Sequence, residues 1–172
     1  MSTTLPQSSA GAITVASSTR AGKYLTFFLS DEEYGLEILK VSEIIGMQAI
    51  TRVPRTPDFV RGVINLRGKV IPITDLRLKF GMEASTEQES CIIVVQLRDV
   101  QTGIVVDRVS EVVALADADI SDPPNFANGV QTDLLLGIGM AGGCVRLLLD
   151  LDKVLAAHEA VQLTESIIAQ AA

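Results

Sequence analysis

The sequence predicts a mainly β chain built as two small closed barrels that share a core, with a C-terminal helix after them. Three observations carry this expectation. From Tyr24 onward short apolar runs alternate with turn residues, the pattern recurs in the second half, and all of this falls within 172 residues. Short strands expose sheet edges unless the sheet closes. Units of roughly 60 residues bury too little alone, so two of them should pack together.

Tyr24–Leu29 reads as a strand, Ser30-Asp31-Glu32-Glu33 as a polar turn and Tyr34–Ile38 as the returning strand. Leu39, Val41, Ile44 and Ile45 recur over too few residues to separate a helical turn from a strand. Ile50–Val53 is short and apolar, and Pro54 and Pro57 break the chain. Val63–Leu66 and Val70–Ile73 flank Arg67-Gly68-Lys69, a hairpin in which Gly68 takes the positive φ. Pro72 inside the second run points to an edge strand or a bulge.

The chain then repeats itself. At an offset of 68 residues, Leu25, Gly35, Val41, Ser42, Glu43, Ile44 and Ile45 fall on Ile93, Gly103, Val109, Ser110, Glu111, Val112 and Val113. At an offset of 75, Asp58, Gly62, Gly68, Val70, Asp75 and Leu76 fall on Asp133, Gly137, Gly143, Val145, Asp150 and Leu151. The seven extra residues fit the polar stretch Ala116–Gln131. Two repeats follow, about 23–82 and 90–155, each ending in Asp-Leu. Asp152–Ala169 has the pattern of an amphipathic helix, with Asp150 or Asp152 placed to cap it. The expected organisation is a disordered tail over 1–22, one domain over 23–157, and a helix or tail over 158–172.

Apolar residues make up 48% of the chain and charged residues 20%, enough for a core, while 4% aromatics and no Trp make that core aliphatic. The head carries nine Ser/Thr and one charge in 22 residues, without the apolar stretch of a signal peptide. Leu134–Val145 is uncharged but holds four glycines in twelve residues, short of the ~20 residues that span a bilayer. The expected location is cytoplasmic. A net charge of −7 argues against general nucleic-acid binding. Yet Arg52–Lys79 holds seven basic residues against two acidic ones. That belt is either a surface for an acidic partner or a solvated face.

Catalytic patterns are missing. There is no G-x-S-x-G, P-loop or C-x-x-C. Gly137-x-Gly139 lies between strands rather than before a helix, and the single His158 sits in the expected helix. Asp75 and Asp150 share a repeat position, which assigns them to turns or caps. Asp117, Asp119 and Asp122 lack the glycine and terminal Glu of a calcium loop. Cys91 and Cys144 each lie in an apolar run and read as buried small hydrophobes in a reducing compartment, with a disulfide as the alternative. No catalytic residue, cofactor or metal site is expected.

The stretch from Asp31 to Ile44, Thr56-Pro-Asp-Phe-Val-Arg-Gly-Val-Ile-Asn-Leu-Arg-Gly, Val70-Ile-Pro-Ile-Thr-Asp-Leu-Arg-Leu-Lys-Phe and Gly103-Ile-Val-Val-Asp-Arg-Val-Ser-Glu-Val resemble the CheW family of chemotaxis coupling proteins. The resemblance runs from about Lys23 to Leu155. It implies two intertwined five-stranded SH3-like barrels and no catalysis. It also implies an adaptor joining the cytoplasmic tips of chemoreceptors to the regulatory domain of the chemotaxis histidine kinase, in membrane-associated arrays. By position, Arg67, Glu43, Ile92 and Val112 would contact receptor, and Val41 and Gly62 the kinase. The alternative function is a ligand-sensing regulatory domain binding a small molecule or peptide in the groove between the barrels.

Overall fold

The structure is a computed structural model that describes residues 20–83, 89–97, 99–123 and 134–155. Its first half contains β1 (Gly22–Leu29), β2 (Glu32–Glu37), β3 (Val41–Gly46), β4 (Val60–Leu66), β5 (Lys69–Asp75) and the short helix α1 (Leu76–Lys79). The second half contains β6 (Cys91–Leu97), β7 (Val100–Val106), β8 (Arg108–Leu115), β9 (Ile120–Ser121), β10 (Leu135–Ala141), β11 (Cys144–Leu149) and α2 (Leu151–Val154). The strands form two sheets, ordered β8-β1-β2-β11-β10-β9 and β3-β6-β7-β5-β4.

Each sheet closes on itself in the same way. In the first, β8 runs through a single 3-10 turn, Asp117–Asp119, into β9, which pairs with β10. In the second, the chain beyond β3 returns to β4 through a bridge between Thr51 and Val63. The barrels are intertwined, because each takes its first hairpin from the other repeat. The hairpin β1–β2 joins β8 to β11, and β6–β7 joins β3 to β5. Five strands each were expected; the two-residue β9 makes the first sheet six-stranded.

The exchange rests on two parallel seams related by the sequence repeat. Gly103 pairs with Ile73 across β7–β5, and Gly35 with Leu148 across β2–β11. A Cβ on Gly103 would stand 2.5 Å from Ile73 Cδ1, and one on Gly35 would stand 2.9 Å from Leu148 Cδ2. At both seams glycine lets a neighbouring side chain cross the strand. The central core lies between the barrels, with Phe27, Leu36, Ile93, Ile104, Val106 and Leu149 within it. Ile64, Ile71, Ile92 and Val94 fill the second barrel, and Tyr24, Leu115, Ile120 and Leu148 fill the first. This core is mostly aliphatic, as the composition requires, with Tyr24, Phe27 and Tyr34 as its buried aromatics.

Several expectations change. The first turn is Ser30-Asp31 alone, and Glu32 and Glu33 already belong to β2. The ambiguous stretch splits into a 3-10 turn, Ile38–Lys40, and then β3. Strand β5 is internal rather than an edge. Pro72 is tolerated because Val63 gives both its backbone hydrogen bonds to Thr51, leaving the Val63–Pro72 pair without ladder bonds, while parallel pairing with β7 starts only at Ile73. Cys144 is exposed at the start of β11 rather than buried, and both cysteines are free. The side chains of Asp75 and Asp150 do cap α1 and α2, accepting from Arg77 and Leu78 and from Lys153. The body of the expected C-terminal helix, from residue 156 on, lies outside the described residues, as do residues 1–19 of the expected tail.

Arg20–Gly22 were placed in that tail, yet the fold holds them. Gly22 pairs with Leu115, and the Tyr24 hydroxyl donates to the Arg20 carbonyl at 2.6 Å. The Arg20 guanidinium donates at 3.0 Å to both Asp122 and the Leu136 carbonyl.

Candidate functional site

Asn-Leu-Arg-Gly is first a folding device. The Asn65 side chain accepts the Gly68 N–H at 2.8 Å, and Leu66 is buried in the second barrel. Arg67 and Gly68 form a two-residue turn with φ 52° and 85°. Gly142 and Gly143 occupy the matching turn of the other barrel at 61° and 77°. A type I′ hairpin asks for positive φ at both central positions and favours glycine or Asn there. An arginine in the first of them is held against its preference, and its side chain is 71% exposed. Closure of the second barrel brings β3 beside this hairpin tip. There the Arg67 guanidinium donates to Glu43 Oε2, while Glu43 Oε1 is buried with no partner among the described residues.

The other candidate residues separate. Val112 stands on β8 of the first barrel and is 50% exposed. Its repeat counterpart Ile44 is exposed on β3 in the same way. Ile92, expected at the receptor surface, is 0% exposed inside the second barrel and offers no side chain to a partner. Val41 is half-buried, with its side chain against the central core. Gly62 is buried at φ 137°, and a Cβ there would lie 2.1 Å from the Thr51 carbonyl oxygen. Its role is to admit the strand that closes the barrel, so it presents no surface. The displayed apolar group near Val41 is instead Leu39, on the 3-10 turn and 95% exposed. Nothing in the run Tyr34–Ile45 marks Leu39 out from its neighbours in sequence.

The basic belt is partly absorbed by the fold. Arg61 pairs with the buried Asp75 at 2.8 Å, and Lys79 lies 4.0 Å over the Phe59 ring. Arg77 pairs with Asp107 at 2.5 Å, and that carboxylate also accepts the Ser30 N–H at 2.6 Å, tying α1 to the β1–β2 turn. Arg146 is a buried cation that sequence reasoning missed. It donates to Glu33 at 3.1 Å, Glu111 at 3.4 Å and the Ala141 carbonyl at 3.2 Å.

A cleft of about 580 Å³ opens beside the central core, lined by Tyr34, Phe80, Met82, Leu135 and Leu147 with Glu32 and Lys79 as its charged groups. Burial pushes the Tyr34 hydroxyl well above the ordinary phenol range, and Glu32 beside it adds to the effect. Burial likewise pushes the Cys91 thiol up. Among the described residues no group of His, Cys, Asp and Glu gathers to hold a metal ion. No helix among them is long and apolar enough to cross a membrane.

The fold is two intertwined barrels that display a strained arginine hairpin and exposed apolar side chains, surfaces suited to meeting other proteins. The model of the CheW-like domain matches residues 23–159. The chain is 42% identical over 146 residues to a chemotaxis protein CheW of Klebsiella aerogenes, covering 84% of this chain and 88% of that one. It is 35% identical over 150 residues to a chemotaxis protein CheW of Rhizobium meliloti, covering 82% and 97%. The crystal structure of the scaffolding protein TtCheW from Thermoanaerobacter tengcongensis superposes with a TM-score of 0.74 at 33% identity, over 81% of this chain and 95% of that one. This chain belongs to the CheW family.

Proposed function

We propose that the chain is a non-catalytic coupler in chemotaxis signalling. One surface takes the cytoplasmic tips of chemoreceptors and another takes the regulatory domain of the chemotaxis histidine kinase, so a cytoplasmic protein is recruited to membrane-associated arrays. The observation that carries this reading is the Arg67–Glu43 pair at the hairpin tip. The matching turn of the other barrel is built from two glycines, so the fold does not need the arginine. A guanidinium fork there can take carboxylates or the exposed carbonyls at the tip of a helical hairpin. Val112 extends the receptor surface onto the first barrel, and the kinase surface is the apolar region of Val41 and Leu39. Family membership supports the assignment. The test is a reconstituted mixture of receptor, kinase and this chain. Kinase autophosphorylation should rise only with all three present, and equal stimulation without receptor would refute coupling.

A further inference from the structure

The loop between the Thr51 bridge and β4 forms a second groove, about 730 Å³, whose floor is Val53, Val60 and Leu78 and whose rim carries Arg52 and Arg55. Both arginines are exposed, and neither has an ion-pair partner among the described residues. The loop is stiff. Pro54 and Pro57 fix two φ angles, the Thr56 hydroxyl donates to the Val53 carbonyl at 2.9 Å, and the Val60 N–H donates to the Pro57 carbonyl at 3.0 Å. Within it Arg55 sits at φ 63°, a region that long side chains rarely occupy. Such outliers persist where surrounding structure holds them and cluster at binding sites.

The fold does not ask for these charges. In the first barrel the corresponding connection, residues 122–133, contains no Lys or Arg. Asp58 is the one exposed carboxylate among the groove's lining residues, and Arg61 is already neutralised by Asp75. The rim thus offers two guanidinium forks, without an ion-pair partner among the described residues, over an apolar floor on a loop that loses little freedom when it binds.

We propose that this groove docks an exposed acidic segment of a protein partner, in which carboxylates flank one apolar side chain. The carboxylates take Arg52 and Arg55, and the apolar side chain covers Val53, Val60 and Leu78. This inference uses neither the Arg67 hairpin nor the receptor assignment, and it can fail while coupling holds.

The test titrates the full chain into fluorescein-labelled peptides Glu-Glu-Leu-Glu-Glu, Glu-Glu-Ser-Glu-Glu and Lys-Lys-Leu-Lys-Lys, read by fluorescence anisotropy. The first should bind, the second several-fold more weakly, and the third not at all. Arg52→Glu and Arg55→Glu should each weaken the first by about tenfold, with unchanged melting temperatures. Lys69→Glu, an exposed cation on the β4–β5 hairpin, should leave binding unaltered. Raising salt from about 50 to about 200 mM should weaken it several-fold. No binding of the first peptide would overturn the proposal. Equal affinity for the Leu and Ser peptides, or equal loss with Lys69→Glu, would reduce the groove to diffuse electrostatics. Full displacement by inorganic phosphate would make it a small-anion site. Self-association of the chain abolished by Arg52→Glu would assign the groove to a second copy. Each of these results also overturns the proposal.

Discussion

A Cβ on Gly62 would lie 2.1 Å from the carbonyl oxygen of Thr51, the residue that closes the second barrel against Val63. Gly137 holds the corresponding place in the first barrel, where a Cβ would meet Ile120 Cγ2 at 2.7 Å and the Ser121 carbonyl oxygen at 2.8 Å. Gly62 also carries the positive φ of 137°, and Gly137 does not. Gly62→Ala should therefore cost about 3 kcal/mol or more, and Gly137→Ala about 1–3 kcal/mol. Chemical denaturation of both variants checks the order. A larger effect at Gly137 would mean the second barrel relaxes more easily than its geometry implies. Loss of kinase binding by Gly62→Asp would report disrupted closure rather than a lost contact.

The proposed kinase surface calls for a substitution that leaves the core alone. Leu39→Asp adds a carboxylate to a side chain already 95% exposed. The melting temperature should stay within a degree or two, because exposed substitutions change stability by about 0.5 kcal/mol or less. Pull-down of the kinase regulatory domain should fall about tenfold or more, as for a charge placed in an apolar contact. Wild-type pull-down by Leu39→Asp would move the kinase surface away from the 3-10 turn.

Truncation tests the N-terminal boundary. A chain starting at Lys23 loses the Gly22–Leu115 pairing, the Tyr24–Arg20 hydrogen bond and the Arg20 contacts to Leu136 and Asp122. A net contribution of about 1 kcal/mol for each well-made hydrogen bond predicts a drop of several degrees in melting temperature. A chain starting at Arg20 should melt close to full length. Equal melting of the two truncations would show that Arg20 clamps nothing.

Alkaline stability follows from Tyr34. Its hydroxyl is held protonated in the fold, by burial first and by Glu32 second. Between the ordinary phenol range and the raised folded value, the native state binds a proton that the unfolded state has released. The contribution of Tyr34 to stability is then complete below pH ~10 and falls as pH rises above it. Tyr34→Phe should flatten that alkaline fall, at the expense of its 3.2 Å hydrogen bond to Glu32. Denaturation midpoints across the alkaline range read the slope; identical slopes would place the alkaline response elsewhere.

The repeat was legible because its offsets are carried by residues the geometry cannot exchange. Gly35 and Gly103 sit where Leu148 and Ile73 cross the exchanged seams, and the capping roles of Asp75 and Asp150 match. The exchange of hairpins was not legible from spacing, since periodicity reveals a strand without naming its partner. It entered through the family resemblance. Ile92 was carried to the receptor surface by its position in the family resemblance, and its own run gave no sign against that, because β6 faces a core on both sides. Ile92 and Val94 point into the second barrel while Ile93 and Val95 point into the central core, so the run shows no alternation. Arg146 was missed because its partners Glu33 and Glu111 lie far off in sequence on other strands.

Arg67 remains the residue on which the receptor reading depends. Its ion pair with Glu43 is largely exposed, and such pairs contribute about 0–1 kcal/mol. Its positive φ costs a non-glycine residue about 1 kcal/mol or more. The two effects nearly offset, so Arg67→Ala should leave the melting temperature within a degree or two. Arg67→Gly should match or exceed the wild type, because it removes the strain together with the ion pair. Both should lose receptor-dependent kinase activation while retaining kinase pull-down. Arg67→Glu should be worse than either, since it sets a second carboxylate beside the unpartnered oxygen of Glu43. A stable Arg67→Gly chain that couples normally would show that the arginine is tolerated rather than required. The receptor surface would then have to be sought on the first barrel, around Val112.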